Sequence, residues 1–190
     1  SVAAAVRSGG KVALLLGGRA LRERSLLAAA RIAAHSGVTL LAEVFPTRME
    51  RGAGLPAVER IAYLAEMAGV QLAGIEHLVL VDAKAPVSFF AYPGKKSDLV
   101  PEGCTVHTLA APTQDAAASL EKLAAALGAT QAQPVLQAAQ RPGRPRGKLT
   151  APKVGQAMPP AHFAVVIPEV PDLPVSPEML PPEYTPRTDE

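Results

Sequence analysis

The chain has 190 residues, a formal net charge of +2, 48% apolar side chains and 4% aromatic ones. That apolar content supplies a core for one ordinary domain plus an extension and excludes disorder throughout. The basic residues are scattered until the short run Arg141, Arg144, Arg146, Lys148, which leaves no electrostatic footprint for nucleic acid. A single cysteine, Cys104, offers neither an intramolecular disulfide nor a metal cluster, and suits a reducing cytoplasm. No apolar run reaches the about 18 to 20 residues that span a bilayer, and Ser1 to Arg7 lacks a charged region followed by an uninterrupted apolar stretch. The expectation is a soluble cytoplasmic protein with no metal, no membrane and no nucleic acid among its partners.

Lys11 to Leu16, KVALLL, is a continuous apolar run closed by Gly17-Gly18, the pattern of a strand buried on both faces of a parallel sheet. Leu26, Leu27, Ala30, Ala33 and Ala34 recur at helical spacing until Ser36-Gly37, where glycine supplies a left-handed stop. Val38 to Val44 reads as a second buried strand running into the glycine-punctuated loop FPTRMERGAGLP. Pro56 is placed to start a second helix, with an apolar stripe over Val58, Ile61, Ala62, Leu64, Ala65 and Ala68 to about Gly69. Residues 70 to 75 continue or briefly restart it. His77 to Val81 is a third strand, ending in Asp82-Ala83-Lys84, and Val106 to Leu109 a fourth; Asp115 to Leu127 is the last clear helix. Alternating strands and helices imply right-handed crossovers, so the predicted fold is α/β, a three-layer Rossmann-like parallel sheet with helices on both faces.

This domain is expected to occupy residues 1–130. Thirteen of the nineteen prolines fall after Gly128, which marks residues 131–190 as a proline-rich linker and tail, extended or disordered apart from a possible strand at His162 to Ile167.

In an open parallel sheet, ligands settle beyond the carboxyl ends of the strands. The rim here is Gly17, Gly18 and Arg19, Glu43, and Asp82, Ala83 and Lys84. LLLGGRA falls short of the GxGxxG dinucleotide pattern, and a tight strand-to-helix turn explains it equally well. Arg19 is suited to a phosphate or to solvent. Glu43 stands where a carboxylate holds ribose hydroxyls in this fold class, although a capping or surface carboxylate is the simpler reading. Arg48 to Gly54 has amides and arginines for a diphosphate, or alternating charges for a contact between domains. Cys104 and His107 suggest a nucleophile and base, but residues three apart on a strand face opposite ways. His35 closes a helix, where a cation favours the dipole, and the sequence gives His77 and His162 no partner. Phe89, Phe90 and Tyr92 are the densest aromatic cluster, able to cover a ring or an interface, with core packing the simpler reading.

The stretches GKVALLLGGRALRERSLLAAARIAAHSG, LLAEVFPTRMERGAGLPAVERIAYLAE and HLVLVDAKAPVSFFAYPGK together resemble the central domain of thiamine-diphosphate-dependent enzymes. They are most similar to acetolactate-synthase-like large subunits. RMERGAGLPAVERIAYLAE and SFFAYPGK are the most specific parts, and LTAPKVGQA at 149–157 resembles the linker into the family's diphosphate-binding domain. The remainder of the tail departs from the family.

The resemblance implies a non-catalytic scaffold between a pyrimidine-binding and a diphosphate-binding domain. It also implies thiamine diphosphate and magnesium in the parent enzyme only, and FAD or ADP in some members. A retained adenosine site would use Gly17, Gly18, Arg19, Ala83 and Lys84, with Glu43 at the ribose position; Arg19 and DAKAP replace the glycines and the arginine-containing turn of flavin-binding members. No catalytic residue is assigned. Two alternatives stand beside this reading: a small hydrolase using Glu43, Asp82, Lys84 or His107 in the strand-end cleft, and an interaction module docking through its proline-rich tail as an extended strand or polyproline segment. A homo-oligomer is expected from apolar surface that neighbouring domains would otherwise cover, with Phe163 to Ile167 as its mediating segment.

Overall fold

The computed structural model describes residues 1–90, 93–94 and 96–139. Contacts divide the chain into Ser1–Pro142 and Gly143–Glu190. The second unit, with the expected strand at His162 to Ile167, lies outside the described residues.

Five parallel strands form one sheet in the order β3-β2-β1-β4-β5. They are β1 Val12–Leu16, β2 Thr39–Ala42, β3 Glu59–Arg60, β4 His77–Val81 and β5 Thr105–Ala110. All five residues of β1 are buried, because it is central and covered on both faces, which is why its sequence reads as an unbroken apolar run. Helices α1 Val2–Arg7, α2 Glu23–Ser36 and α4 Ala116–Leu127 cover one face, packing Leu26, Ile32, Leu120 and Leu123 on Leu14, Leu16, Val79 and Val81. On the other face α3 Ala65–Leu72 sets Ala68 and Leu72 against Ala13, Leu15, Leu78 and Leu80. The architecture is the expected three-layer α/β fold.

Local chemistry fixes the ends of the long helices. Gly37 closes α2 at φ 71°. Asp115 accepts the Ala118 N–H at 3.0 Å to start α4, and Gly128 ends it at φ 78°. Both glycines take the left-handed conformation that residues with a Cβ avoid.

The sequence expectation fails most clearly between Pro56 and Gly69. A helix is expected from Pro56, but the chain first adds β3 to the edge of β2 and turns through Ala62 to Leu64 before α3 begins at Ala65. The Ile61 N–H donates to the Ala42 carbonyl at 2.9 Å, and the Ala62 N–H donates to Gln71 Oε1 at 2.7 Å. Tertiary partners thus hold the amides that a helix would use, and the edge of β2 outcompetes local helical periodicity. The second strand stops at Ala42 rather than Val44, β5 gains one residue at each end, and α1 is a helix the sequence reading did not anticipate.

Candidate functional site

The sheet reverses its winding between β1 and β4, the place where doubly wound folds open a ligand crevice. Here the chain closes that crevice on itself. The Gly17 N–H donates to the Val81 carbonyl at 3.0 Å and the Ala20 N–H to the Gly17 carbonyl at 2.8 Å. The Gly18 N–H donates to Glu43 Oε1 at 3.1 Å, and the Arg19 N–H to Asp82 Oδ2 at 2.7 Å. The Arg19 guanidinium donates to the carbonyls of Pro112 and Gln114 at 2.8 and 2.9 Å and lies 3.6 Å from Asp82 Oδ2.

The two glycines are required by close approach. A Cβ at position 17 would lie 2.5 Å from the Asp82 carbonyl oxygen, and one at position 18 would lie 2.6 Å from Asp82 Oδ2, at a φ of +42°. Asp82 itself has φ 50°, a left-handed conformation that aspartate tolerates better than most residues with a Cβ.

Beside this turn, on the α3 face, lies a cleft of about 300 Å3 at the carboxyl ends of β1, β2 and β4. Leu15 and Ile61 form part of its lining, Phe45, Tyr63 and Phe89 form its aromatic wall, and Glu43 and Lys84 bring opposite charges to it. The three rings contact one another with centroids 5.4 to 5.7 Å apart, within the range of favourable edge-to-face and tilted pairs.

Of the residues proposed from sequence, Gly17, Gly18, Arg19 and Glu43 come together in the turn. Lys84 joins Glu43 at the cleft, whereas Ala83 is buried, with its methyl facing Gly17. The Arg19 guanidinium pairs with this chain's own acceptors while its side chain stays 61% exposed. In the Arg48–Gly54 loop, Glu50 accepts the Glu23 N–H at 2.5 Å and lies 3.6 Å from Arg22 Nη1, and the Gly54 N–H donates to the Gln137 carbonyl at 2.9 Å. The simpler reading of Phe89 and Phe90 as core is corrected: they are 62% and 46% exposed, because they pack on Tyr63 and on each other rather than beneath a helix. Tyr92 lies outside the described residues.

Sequence reasoning missed Phe45 and Tyr63, whose places at the cleft follow from where β2 and β3 end. It also left His77 without a partner. His107 Nε2 lies 3.2 Å from His77 Nδ1, since the β4–β5 register sets the two diagonally on one face. Burial and then the charge of His77 hold the His107 imidazole below its ordinary value. This pair points away from the cleft, toward the α1, α2 and α4 face, so His107 does not join Glu43 and Lys84 there. Burial raises the Cys104 thiol above its ordinary value, the opposite of nucleophile activation. Among the described residues no group of three or more His, Cys, Asp or Glu could hold a metal ion, and no helix is long and apolar enough to cross a membrane.

No protein-family profile matches the chain. It is 51% identical over 172 residues, 88% of its length, to the Mycobacterium tuberculosis protein named "Putative acetolactate synthase large subunit IlvX". Over most of its length the chain is therefore similar to an acetolactate-synthase-like large subunit. It spans about a third of the length of that relative, 33%. The fold is similar to part of a Mycobacterium smegmatis crystal structure titled as a "putative thiamin diphosphate-dependent enzyme", with a TM-score of 0.52 and 18% identity over 74% of this chain and 30% of that one.

The FAD or ADP of some members of this family does not fit the turn. The Gly18 and Arg19 amides that would meet a diphosphate already hold the carboxylates of Glu43 and Asp82, so an incoming phosphate would have to displace two like charges.

Proposed function

We propose that this chain is the non-catalytic central domain of a thiamine-diphosphate-dependent, acetolactate-synthase-like enzyme, a scaffold that positions a pyrimidine-binding and a diphosphate-binding domain. The observation carrying this reading is the apolar surface left open along α3. Leu64 is 48% exposed, Met67 58% and Val70 77%. Apolar surface of this kind marks a face that another domain covers, and the mycobacterial relative, matched over only a third of its length, carries further chain of the kind that would cover it. Thiamine diphosphate and magnesium would be held by those flanking domains, whose preorganised groups the cofactor's chemistry requires.

The test is direct. The purified 190-residue chain, supplied with thiamine diphosphate, magnesium and pyruvate, is expected to release no acetolactate and to give no calorimetric signal for thiamine diphosphate binding. Turnover that copurifies with the chain refutes the scaffold reading. Self-association through the same apolar surface is the corresponding expectation for assembly. Light scattering should show a dimer or larger species that Met67→Glu and Val70→Glu together dissociate, and a monomeric wild type removes it.

A further inference from the structure

Glu43 and Lys84 are charged groups on the apolar cleft, yet neither forms an ion pair with any described residue. Glu43 is held in place: its carboxyl group lies over Gly17, and Oε1 accepts the Gly18 N–H, which leaves Oε2 for a donor from outside. Lys84 is exposed beside Ala85 and Pro86. Ile61 and the rings of Phe45, Tyr63 and Phe89 line the same cleft.

We propose that this cleft is a binding site for a free aromatic amino acid, taken as its zwitterion. Its ammonium group would donate to Glu43, its carboxylate would meet Lys84, and its ring would pack against the aromatic wall. Three observations select this class. At about 300 Å3 the cleft is at the small end of the range for ligand pockets, too small for a dinucleotide and ample for one amino acid. One carboxylate and one ammonium complement a ligand that carries both charges, and leave one charge at the cleft unmatched for a simple amine or a simple acid. The neighbouring turn, with its amides bound to Glu43 and Asp82, turns away phosphorylated ligands. This inference is independent of the scaffold reading, since a ligand here changes neither the presence nor the absence of carboligase chemistry in the chain.

The experiment is calorimetric titration of the full chain with L-phenylalanine, 2-phenylethylamine, 3-phenylpropionate and ADP, each up to about 10 mM, well above the millimolar affinity that a few contacts support. L-phenylalanine should bind saturably, and at least about tenfold more tightly than the amine or the acid. ADP should not bind. Glu43→Gln keeps an oxygen acceptor for the Gly18 N–H while removing the charge, and Lys84→Met changes an exposed side chain. Each should weaken L-phenylalanine about tenfold or more, with thermal unfolding of the variants showing that they remain folded. The amine should be indifferent to Lys84→Met and the acid to Glu43→Gln. The proposal is overturned if L-phenylalanine does not bind, if the amine or the acid binds as tightly, if both variants bind it like wild type, or if ADP binds in its place.

Discussion

Asp82 holds the closed turn together, and three substitutions at this one position separate its two contributions. Its side chain is 8% exposed and accepts the Arg19 N–H at 2.7 Å, a hydrogen bond to a charged group of the kind that contributes about 1.5 to 3 kcal/mol. Its backbone sits at φ 50°, where a residue with a Cβ is strained by about 1 to 2 kcal/mol, less for Asp and Asn, whose short polar side chains bond locally. Asp82→Asn keeps both the backbone preference and an oxygen acceptor and loses only the charge, so it should cost about 0.5 to 1.5 kcal/mol, since a neutral bond is roughly half as strong. Asp82→Gly loses the bond but relieves the backbone and should cost about 1 to 3 kcal/mol. Asp82→Ala loses the bond and keeps the strain, for about 2 to 4 kcal/mol. Urea unfolding followed by circular dichroism reads the series. With a slope of about 2 kcal/mol per molar urea, the alanine variant should lower the midpoint by about 1 to 2 M at unchanged slope. An alanine variant within about 0.5 kcal/mol of wild type, or a glycine variant less stable than alanine, refutes the account of the turn.

Other consequences can be checked in the same way. Gly17→Ala places a methyl group 2.5 Å from a backbone oxygen at an unstrained φ of −134°, so overpacking alone should cost about 1 to 3 kcal/mol and lower Tm by roughly 2 to 4 °C per kcal/mol; a Tm equal to wild type removes the close approach. His107 binds its proton less tightly in the folded chain than its ordinary value of 6.5. The unfolded chain therefore takes up that proton first, and the stabilisation present above pH 6.5 is lost as pH falls through it toward the folded value. Urea midpoints measured between pH 7.5 and 5 should decline, and His107→Gln should flatten the decline; an unchanged slope in that variant assigns the effect elsewhere. Gly128→Ala, at φ 78° with nothing within 4 Å of the added methyl, should cost about 1 to 2 kcal/mol from backbone strain alone, and a stabilised variant in thermal unfolding would contradict the left-handed cap.

The sequence by itself determined the sheet's centre and the ends of the long helices. A strand covered on both faces is apolar along its covered length, so VALLL and the LVLV of β4 declare themselves without tertiary information. Gly37 and Gly128 mark helix ends because the left-handed stop is a local requirement. It also placed Gly17, Gly18, Arg19, Glu43 and Lys84 on one rim, since a parallel sheet gathers the carboxyl ends of its strands. Only the tertiary structure decided what that rim does. The two exposed residues of β3 form a strand because the edge of β2 is there to pair with, a reason no window of sequence around Glu59 contains. The aromatic wall is drawn from the segment after β2, the turn before α3 and the loop after β4, three places remote in sequence. The juxtaposition of Asp82 with Gly18 and Arg19, which turns a candidate phosphate turn into one closed by its own carboxylates, follows from the β1–β4 register. Composition and periodicity report which residues are buried, but which acceptor reaches which amide is settled by strand order and register.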